Sequence, residues 1–148
     1  MVGQTRRLDI EERKGTEVAV PQIKPVDMGM PRPWRIALTV QEMQMQLVFD
    51  LTQRMTVGRA HADSDVFPDI DLTPFNAEDS GVSRHHLDLL LDEDRVVVID
   101  NQSSNGTFLN GEKLQPKQSY PIRNADELEL GMMKLKVELL MNPFETFD

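Results

Sequence analysis

The sequence predicts an all-β protein, an antiparallel β-sandwich that follows a disordered N-terminal tail. From Trp34 onward, short apolar or alternating runs are separated by turn residues, which is the pattern of strands in a sandwich. No window shows the period of about 3.6 residues that marks an amphipathic helix. Many short strands with regularly spaced turns are typical of two packed antiparallel sheets.

Eight segments carry the strand pattern. They are Trp34 to Val40, Met45 to Asp50, Met55 to Arg59, His86 to Leu91, Val96 to Asp100, Thr107 to Leu109, Glu127 to Leu130 and Lys134 to Leu140. Asp94-Arg95 predicts a tight hairpin, Asn110-Gly111 is a strong turn signal, and Gly131 to Met133 separate the last two strands.

The first 33 residues differ from the rest of the chain. They contain four of the nine prolines and no sustained apolar period, so this segment cannot offset the entropy of ordering itself. We expect a flexible tail at 1–33, one β-sandwich domain at 34–141 and a short C-terminal extension at 142–148. A chain of 148 residues with 39% hydrophobic content has material for one sizeable core.

The composition excludes several functional classes. There are no cysteines, so disulfides, thiolate nucleophiles and thiolate-bound metals are absent. A formal net charge of −9 argues against a general nucleic-acid binder. No apolar stretch reaches the length of a membrane span or forms a signal-peptide core. We therefore expect a cytoplasmic protein with no cofactor or metal and with no nucleic-acid or membrane partner.

Three polar clusters fall at the ends of predicted strands, where a sandwich carries its binding loops. The clusters are Gly58-Arg59, Ser83-Arg84-His85-His86 and Ser103-Ser104-Asn105-Gly106-Thr107. Arg59 and Arg84 supply guanidinium groups, Ser83 and Ser104 supply hydroxyls, and Asn105 supplies an amide. Such donors suit a phosphate dianion, because arginine binds its oxygens bidentately and hydroxyls complete the hydrogen bonding.

The three clusters together resemble the motifs of the forkhead-associated (FHA) domain family. In order, they are Gly58-Arg59, Ser83-Arg84-x-His86 and Asp100-x-x-Ser103-Ser104-Asn105-Gly106-Thr107-x-x-Asn110-Gly111. The resemblance covers roughly Trp34 to Leu140, and three linked motifs make it far more specific than any single one. It implies an eleven-stranded sandwich that binds phosphothreonine peptides through the loops at one end, with no catalytic residue.

The resemblance also implies a role for each site residue. Arg59 and Ser83 would hold the phosphate, Ser104 would add a hydroxyl contact, Arg84 would contact phosphate or peptide, and Asn105 would hold the ligand backbone. The family often has threonine in place of Ser104, and serine keeps the hydroxyl.

Five further residues are expected to support the loops and not to touch the ligand. The resemblance implies that His86 is structural. Gly58, Gly106 and Gly111 suit special backbone conformations, and Asn110-Gly111 suits a hairpin turn.

Acidic residues follow Arg59 closely in the chain. Asp63, Asp65, Asp69 and Asp71 lack the ligand spacing of an EF-hand, so a solvated acidic face is the better interpretation than a calcium site. Acids beside a phosphate site would repel the phosphate and attract basic residues that flank it. The sequence therefore predicts a preference for phosphothreonine peptides with nearby Arg or Lys.

The expected function is a non-catalytic phosphothreonine-binding adaptor or regulator in signalling by an upstream serine/threonine kinase. The tail adds two alternatives: phosphorylated Thr5 or Thr16 could bind the domain of its own chain, or the tail could serve as a linker. A scaffold of the same fold could instead bind a partner on a sheet face without phosphate. A small hydrolase that uses Ser83 with His85 or His86 is the alternative from another class.

Overall fold

The computed structural model describes residues 34–51 and 53–142. The predicted tail at 1–33, with Thr5 and Thr16, lies outside the described residues, and so do residues 143–148 of the predicted C-terminal extension.

The described residues form eleven strands and one short 3₁₀ turn, which confirms the all-β prediction. The strands are β1 (Trp34–Val40), β2 (Met45–Leu51), β3 (Arg54–Gly58), β4 (Ile70–Asp71), β5 (Leu87–Asp92), β6 (Arg95–Asp100), β7 (Thr107–Leu109), β8 (Glu112–Lys113), β9 (Ser119–Pro121), β10 (Glu127–Leu130) and β11 (Met133–Met141). The 3₁₀ turn spans Thr73–Phe75.

The strands form two sheets. One has six strands in the order β2-β1-β11-β10-β7-β8, and the other has five in the order β4-β3-β5-β6-β9. Antiparallel pairing prevails, which confirms the predicted antiparallel sandwich, and one edge carries a parallel pair that the sequence did not predict. There β3 and β4 run parallel, with Val57 opposite Ile70. The reason is the long 59–69 loop, since parallel neighbours need a connection much longer than a hairpin turn.

Three strands were not predicted from the sequence: β4, β8 and β9. Each has only two or three residues and lies at the edge of a sheet. Such short strands show no alternation of apolar and polar side chains, and β9 contains Pro121, which is tolerated at an edge because one side of the strand is unpaired. Of the other strands, β1, β7 and β10 have the predicted bounds, and the remaining five differ by one residue at one or both ends. The predicted Asp94-Arg95 hairpin turn lies at Glu93-Asp94.

The core fills the space between the sheets. Alternate residues of β1 and β11 point inward from the six-stranded sheet and meet alternate residues of β5 and β6. These buried side chains include Trp34, Ile36, Leu38, Leu135, Val137, Leu87, Leu89, Val96 and Val98. Each fully buried aliphatic side chain of this size stabilises the fold by roughly 1.5–3 kcal/mol relative to exposure.

Strand register brings the three polar clusters to one end of the sandwich. Val57 near the end of β3 lies opposite Leu87 at the start of β5, and Leu87 lies opposite Asp100 at the end of β6. The loops that follow β3, precede β5 and follow β6 therefore emerge side by side. The β5–β6 turn lies at the opposite end of the same strands.

Candidate functional site

The loops at this end surround a cleft of about 410 Å³, named here the arginine cleft. Its lining residues are Arg59, Glu78, Gly81, Val82, Ser83, Arg84, Ser104 and Asn105. All five residues predicted to contact a phosphopeptide thus line one cleft. Their contact with a ligand remains a prediction, but the fold brings together side chains that are up to 46 positions apart in sequence.

A hydrogen bond joins two of the three loops directly. The Ser104 backbone N–H donates to the Ser83 hydroxyl oxygen over 3.1 Å. Because that oxygen acts as acceptor, the Ser83 hydroxyl proton stays available to donate to an anion in the cleft. Ser104 is exposed and Ser83 is half-buried, so both hydroxyls can be reached from solvent.

The Arg59 side chain is held by the loop that precedes β5. Its Nε donates to the Val82 carbonyl oxygen over 2.7 Å, and its backbone N–H donates to the Arg84 carbonyl oxygen over 3.2 Å. The two terminal amino groups of the guanidinium have no partner among the described residues. Anchoring at Nε fixes the plane of the fork and leaves the paired donors that bind two oxygens of one anion.

Asn105 lies in the loop that follows β6 and lines the same cleft as Arg59. Its Nδ2 donates to the Gly81 carbonyl oxygen over 2.9 Å, which leaves Oδ1 as an acceptor. Gly81 has a φ of +84°, and a Cβ there would lie 2.7 Å from the Asn105 amide nitrogen. A glycine at position 81 therefore lets this loop approach Asn105.

Buried His86 connects the loop before β5 to the loop before β7. Its Nδ1 accepts the Ser83 backbone N–H over 3.0 Å, and its Nε2 lies 3.0 Å from the Gly106 carbonyl oxygen. These partners require a neutral ring with the proton on Nε2. Burial lowers the pKa of His86 by more than the Gly106 carbonyl and the Asp100 charge raise it.

The hydrolase alternative is not supported by this geometry. Both ring nitrogens of His86 form hydrogen bonds with backbone groups, and the Ser83 hydroxyl oxygen accepts a hydrogen bond from the Ser104 N–H. His85 is exposed, and no hydrogen bond joins it to Ser83 among the described residues. A serine nucleophile needs its base within hydrogen-bond reach, and neither histidine takes that position.

Asp100 organises the loop that carries Ser104 and Asn105. Its carboxylate accepts the Ser103 hydroxyl at 2.5 Å, the Ser103 backbone N–H at 3.2 Å and the Thr107 hydroxyl at 2.6 Å. Burial raises the pKa of Asp100, but these hydrogen bonds and the nearby His86 lower it by more, so its net pKa is below the ordinary value. Ser103 thus bonds within its own loop.

The other residues expected to support the loops do so in different ways. Asn110 and Gly111 form the two central residues of the β7–β8 hairpin, with φ values of +51° and +89°. Gly106 also has a positive φ, of +86°. Gly58 is needed for close approach, since a Cβ there would lie 2.6 Å from the Arg84 carbonyl carbon and closer still to its oxygen.

Replacing Gly58 with alanine is expected to destabilise the domain by about 1–3 kcal/mol, because an added methyl must displace backbone. The displaced backbone belongs to Ser83 and Arg84, so ligand affinity in the arginine cleft should fall with stability. Urea unfolding and peptide titration measure the two effects. Gly111→Ala is the matched control, since its Cβ would meet no atom within 4 Å, and it should lower stability without lowering affinity. Equal losses of affinity in both variants would contradict this account.

Stability is expected to fall as the pH is lowered from about 7.5 to 5.5. The pKa of His86 is below its ordinary 6.5 in the folded state, so the unfolded chain binds the proton more readily. Its stabilising contribution is complete above pH 6.5 and is lost as the pH falls through the folded-state pKa. Urea midpoints across this range test it, and His86→Gln should flatten the slope. Asp100 adds a further loss below its ordinary 3.8, because its pKa is also lowered.

The acidic residues that follow Arg59 have divided roles. Asp71 accepts hydrogen bonds from the Thr73 hydroxyl and backbone and from the Ala60 N–H, and Asp69 accepts the Thr56 N–H. Burial raises the pKa of Asp71, but these bonds lower it by more. Both carboxylates therefore support the 59–73 segment, while Asp63 and Asp65 remain exposed. No group of three or more acidic or histidine side chains suited to a metal occurs within residues 34–51 and 53–142.

Glu78 lines the arginine cleft beside two arginines and was not predicted from the sequence. It belongs to none of the three motifs and lies in the loop between the 3₁₀ turn and β5, where a glutamate looks like an ordinary surface residue. Its position gives the cleft one carboxylate among guanidinium and hydroxyl donors.

No helix in the described part of the chain has the length and apolar character needed to cross a membrane.

Comparison with known proteins gives consistent matches. The family model described as "FHA domain" matches residues 55–131, which is just over half of the chain. The glycogen accumulation regulator GarA of Mycobacterium tuberculosis is 32% identical over 128 residues, covering 86% of this chain and 69% of GarA. The oxoglutarate dehydrogenase inhibitor of Corynebacterium jeikeium is 38% identical over 87 residues, covering 59% of this chain and 52% of that protein.

A solved structure supports the same fold. The N-terminal FHA domain of S. cerevisiae Rad53p, solved in complex with a phosphothreonine peptide, superposes with a TM-score of 0.56 at 23% identity. The match covers 71% of this chain and 93% of that domain. The two sheets, the three linked motifs and the family match agree, and the chain belongs to the FHA domain family.

Proposed function

We propose that this protein binds phosphothreonine-containing peptides or proteins in the arginine cleft and acts, without catalysis, as a cytoplasmic adaptor or regulator downstream of a serine/threonine kinase. The observation that carries the proposal is the convergence of Arg59, Ser83, Arg84, Ser104 and Asn105 on one cleft.

The chemistry of the cleft matches a phosphorylated side chain. A phosphate monoester carries about −1.5 to −2 charge at neutral pH and offers three acceptor oxygens. The free end of the Arg59 fork can bind two of these oxygens, and the Ser83 hydroxyl can donate to the third. The Asn105 Oδ1 can accept a backbone N–H of the ligand, which would fix the direction of the peptide.

The relatives support a regulatory role. GarA is named a regulator of glycogen accumulation, and the corynebacterial relative is named an inhibitor of oxoglutarate dehydrogenase. The Rad53p domain was solved with a phosphothreonine peptide. A phosphothreonine ligand requires a kinase that makes it, so we place the protein in a kinase pathway.

Fluorescence-polarisation titration with three degenerate peptide pools tests the proposal. We expect the phosphothreonine pool to bind, the phosphoserine pool to bind about fourfold more weakly, and the unphosphorylated pool to bind at least about tenfold more weakly. The threonine methyl adds apolar contact that phosphoserine lacks, and Val82 contributes to the lining of the cleft. Equal binding of all pools would contradict the proposal and favour a phosphate-independent scaffold that uses a sheet face.

A further inference from the structure

A second and larger cleft, of about 600 Å³, lies beside the arginine cleft and is named here the acidic cleft. Its apolar lining includes Phe75, Met132 and Met133, and its charged lining residues are Glu42, Asp79 and Lys134. None of the predicted site residues lines this cleft, so the function proposed above leaves it unexplained.

One strip of backbone separates the two clefts. Glu78 and Gly81 line the arginine cleft, whereas the residues between them, Asp79 and Ser80, line the acidic cleft. Consecutive Cα atoms are about 3.8 Å apart, so an extended peptide of a few residues can reach from one cleft to the other.

The strip is fixed by the β10–β11 turn. The Met132 N–H donates to the Ser80 carbonyl oxygen over 2.8 Å. Gly131 packs so closely that a Cβ there would lie 2.5 Å from the same oxygen. The strip between the clefts is therefore held by the β10–β11 hairpin of the six-stranded sheet, and this contact fixes the distance between the two clefts.

The chemistry of the acidic cleft fits a long side chain with a cationic end. Phe75 and Met133 are buried beneath it, while Met132 is 73% exposed. Glu42 and Asp79 are exposed, and neither carboxylate has a hydrogen bond or ion pair with another residue in the described ranges. The stem of lysine or arginine can cover the apolar surface while its charged head meets the carboxylates.

The basic residue in the lining does not reverse this charge. Lys134 lies directly opposite Glu129 in the pairing of β10 with β11, so an acidic residue faces it across the hairpin. The charged lining residues of the cleft sum to a net negative charge, with two carboxylates against one ammonium group.

We infer that the acidic cleft is a subsite for a lysine or arginine side chain of the phosphothreonine ligand, placed a few residues from the phosphothreonine. This inference rests on the proposed function and deepens it. It also adds a second source for the basic preference expected from the sequence. Of the acids that follow Arg59, Asp69 and Asp71 are engaged in backbone hydrogen bonds, whereas Glu42 and Asp79 are free to bind a cation.

The test is a set of phosphothreonine peptides in which each flanking position is fixed in turn as Lys, Arg, Leu or Glu. We expect the native protein to prefer Lys or Arg over Glu by about fivefold at one position, the size expected of exposed charge pairs. The variant D79N combined with E42Q should reduce this preference to less than twofold while still binding an alanine-flanked phosphothreonine peptide normally. Raising the salt concentration should weaken the preference in the native protein.

D94N combined with E93Q is the matched control, because it removes the same two charges from the β5–β6 turn at the opposite end of the sandwich. It should leave the basic preference unchanged. A preference for Leu equal to that for Lys, or a basic preference that persists in the variant D79N combined with E42Q, would overturn the inference while the phosphothreonine function stands. Binding that does not depend on phosphorylation at all would overturn both.

Discussion

Replacing Arg59 with alanine is expected to weaken phosphothreonine-peptide binding by about 100-fold or more. Arg59 presents the free end of its guanidinium fork to the arginine cleft, with Nε anchored on the Val82 carbonyl oxygen. Loss of a bidentate, charge-assisted contact in a binding site typically costs about 2–5 kcal/mol, and about 2.7 kcal/mol corresponds to 100-fold. Isothermal titration of one phosphothreonine peptide against both proteins measures the change.

Two variants separate the loss of the fork from the loss of charge. Arg59→Lys keeps the charge but cannot bind two oxygens in one plane, so it should recover only a small part of the affinity. Arg95→Ala removes an arginine from the start of β6, at the far end of the sandwich, and should leave affinity nearly unchanged. An Arg59→Ala protein that binds within threefold of the native protein would place the interaction on a sheet face.

Much of this fold can be predicted from the sequence, because many strands are long enough to show an alternation of apolar and polar residues. In β1, Trp34, Ile36, Leu38 and Val40 are buried, so alternation alone predicts the strand. The β7–β8 hairpin is predictable from two residues, since Asn110 and Gly111 tolerate the positive φ values that the turn requires.

The parts that could not be predicted depend on contacts between distant segments. β4 consists of Ile70 and Asp71 and exists because it pairs with Val57 and Gly58, which no local pattern reveals. The short edge strand β9 is likewise defined by its pairing with β6. Propensity and periodicity describe a residue's neighbours in the chain, and these strands are determined by neighbours in space.

The same distinction applies to the clefts. Those residues of the arginine cleft that belong to compact motifs with fixed spacing, such as Ser83-Arg84-x-His86, could be predicted from the sequence. Glu78 and the acidic cleft were not found, because the loop before β5 meets the β10–β11 turn only in the folded chain. A family motif identifies the part of a site that is typical of the family. The residues that distinguish this chain lie in the surrounding loops and are not identified by the motif.

The loops of the arginine cleft are held from beneath by polar residues that are themselves buried. His86 joins the Ser83 loop to Gly106, and Asp100 ties together the turn that presents Ser104. A buried polar group stabilises a structure only while its partners are present, because an orphaned donor retains its full desolvation cost. Removal of the group with most partners should therefore give the largest loss of stability.

Asp100→Ala is expected to lower the free energy of unfolding by about 4 kcal/mol. The change removes three accepted hydrogen bonds and leaves the buried Thr107 hydroxyl and the Ser103 donors without an acceptor. Hydrogen bonds to a charged group contribute about 1.5–3 kcal/mol each, and buried unsatisfied donors cost about 1–3 kcal/mol. Urea unfolding of the ligand-free protein measures this loss independently of binding.

A graded series distinguishes this network from a general sensitivity of the position. Ser103→Ala removes one donor and leaves the Thr107 bond intact, so it should cost only about 1 kcal/mol. Asp100→Asn keeps one acceptor oxygen but replaces the other with a donor, and it should fall between the two. The amide chemical shifts of Ser104 and Asn105 should change least in Ser103→Ala, more in Asp100→Asn and most in Asp100→Ala, because the loop that carries these two residues begins at Asp100. If Asp100→Ala unfolds within about 1 kcal/mol of the native protein, the carboxylate does not hold the loop. The geometry of the arginine cleft must then depend on the hydrogen bonds of His86, Ser83 and Asn105.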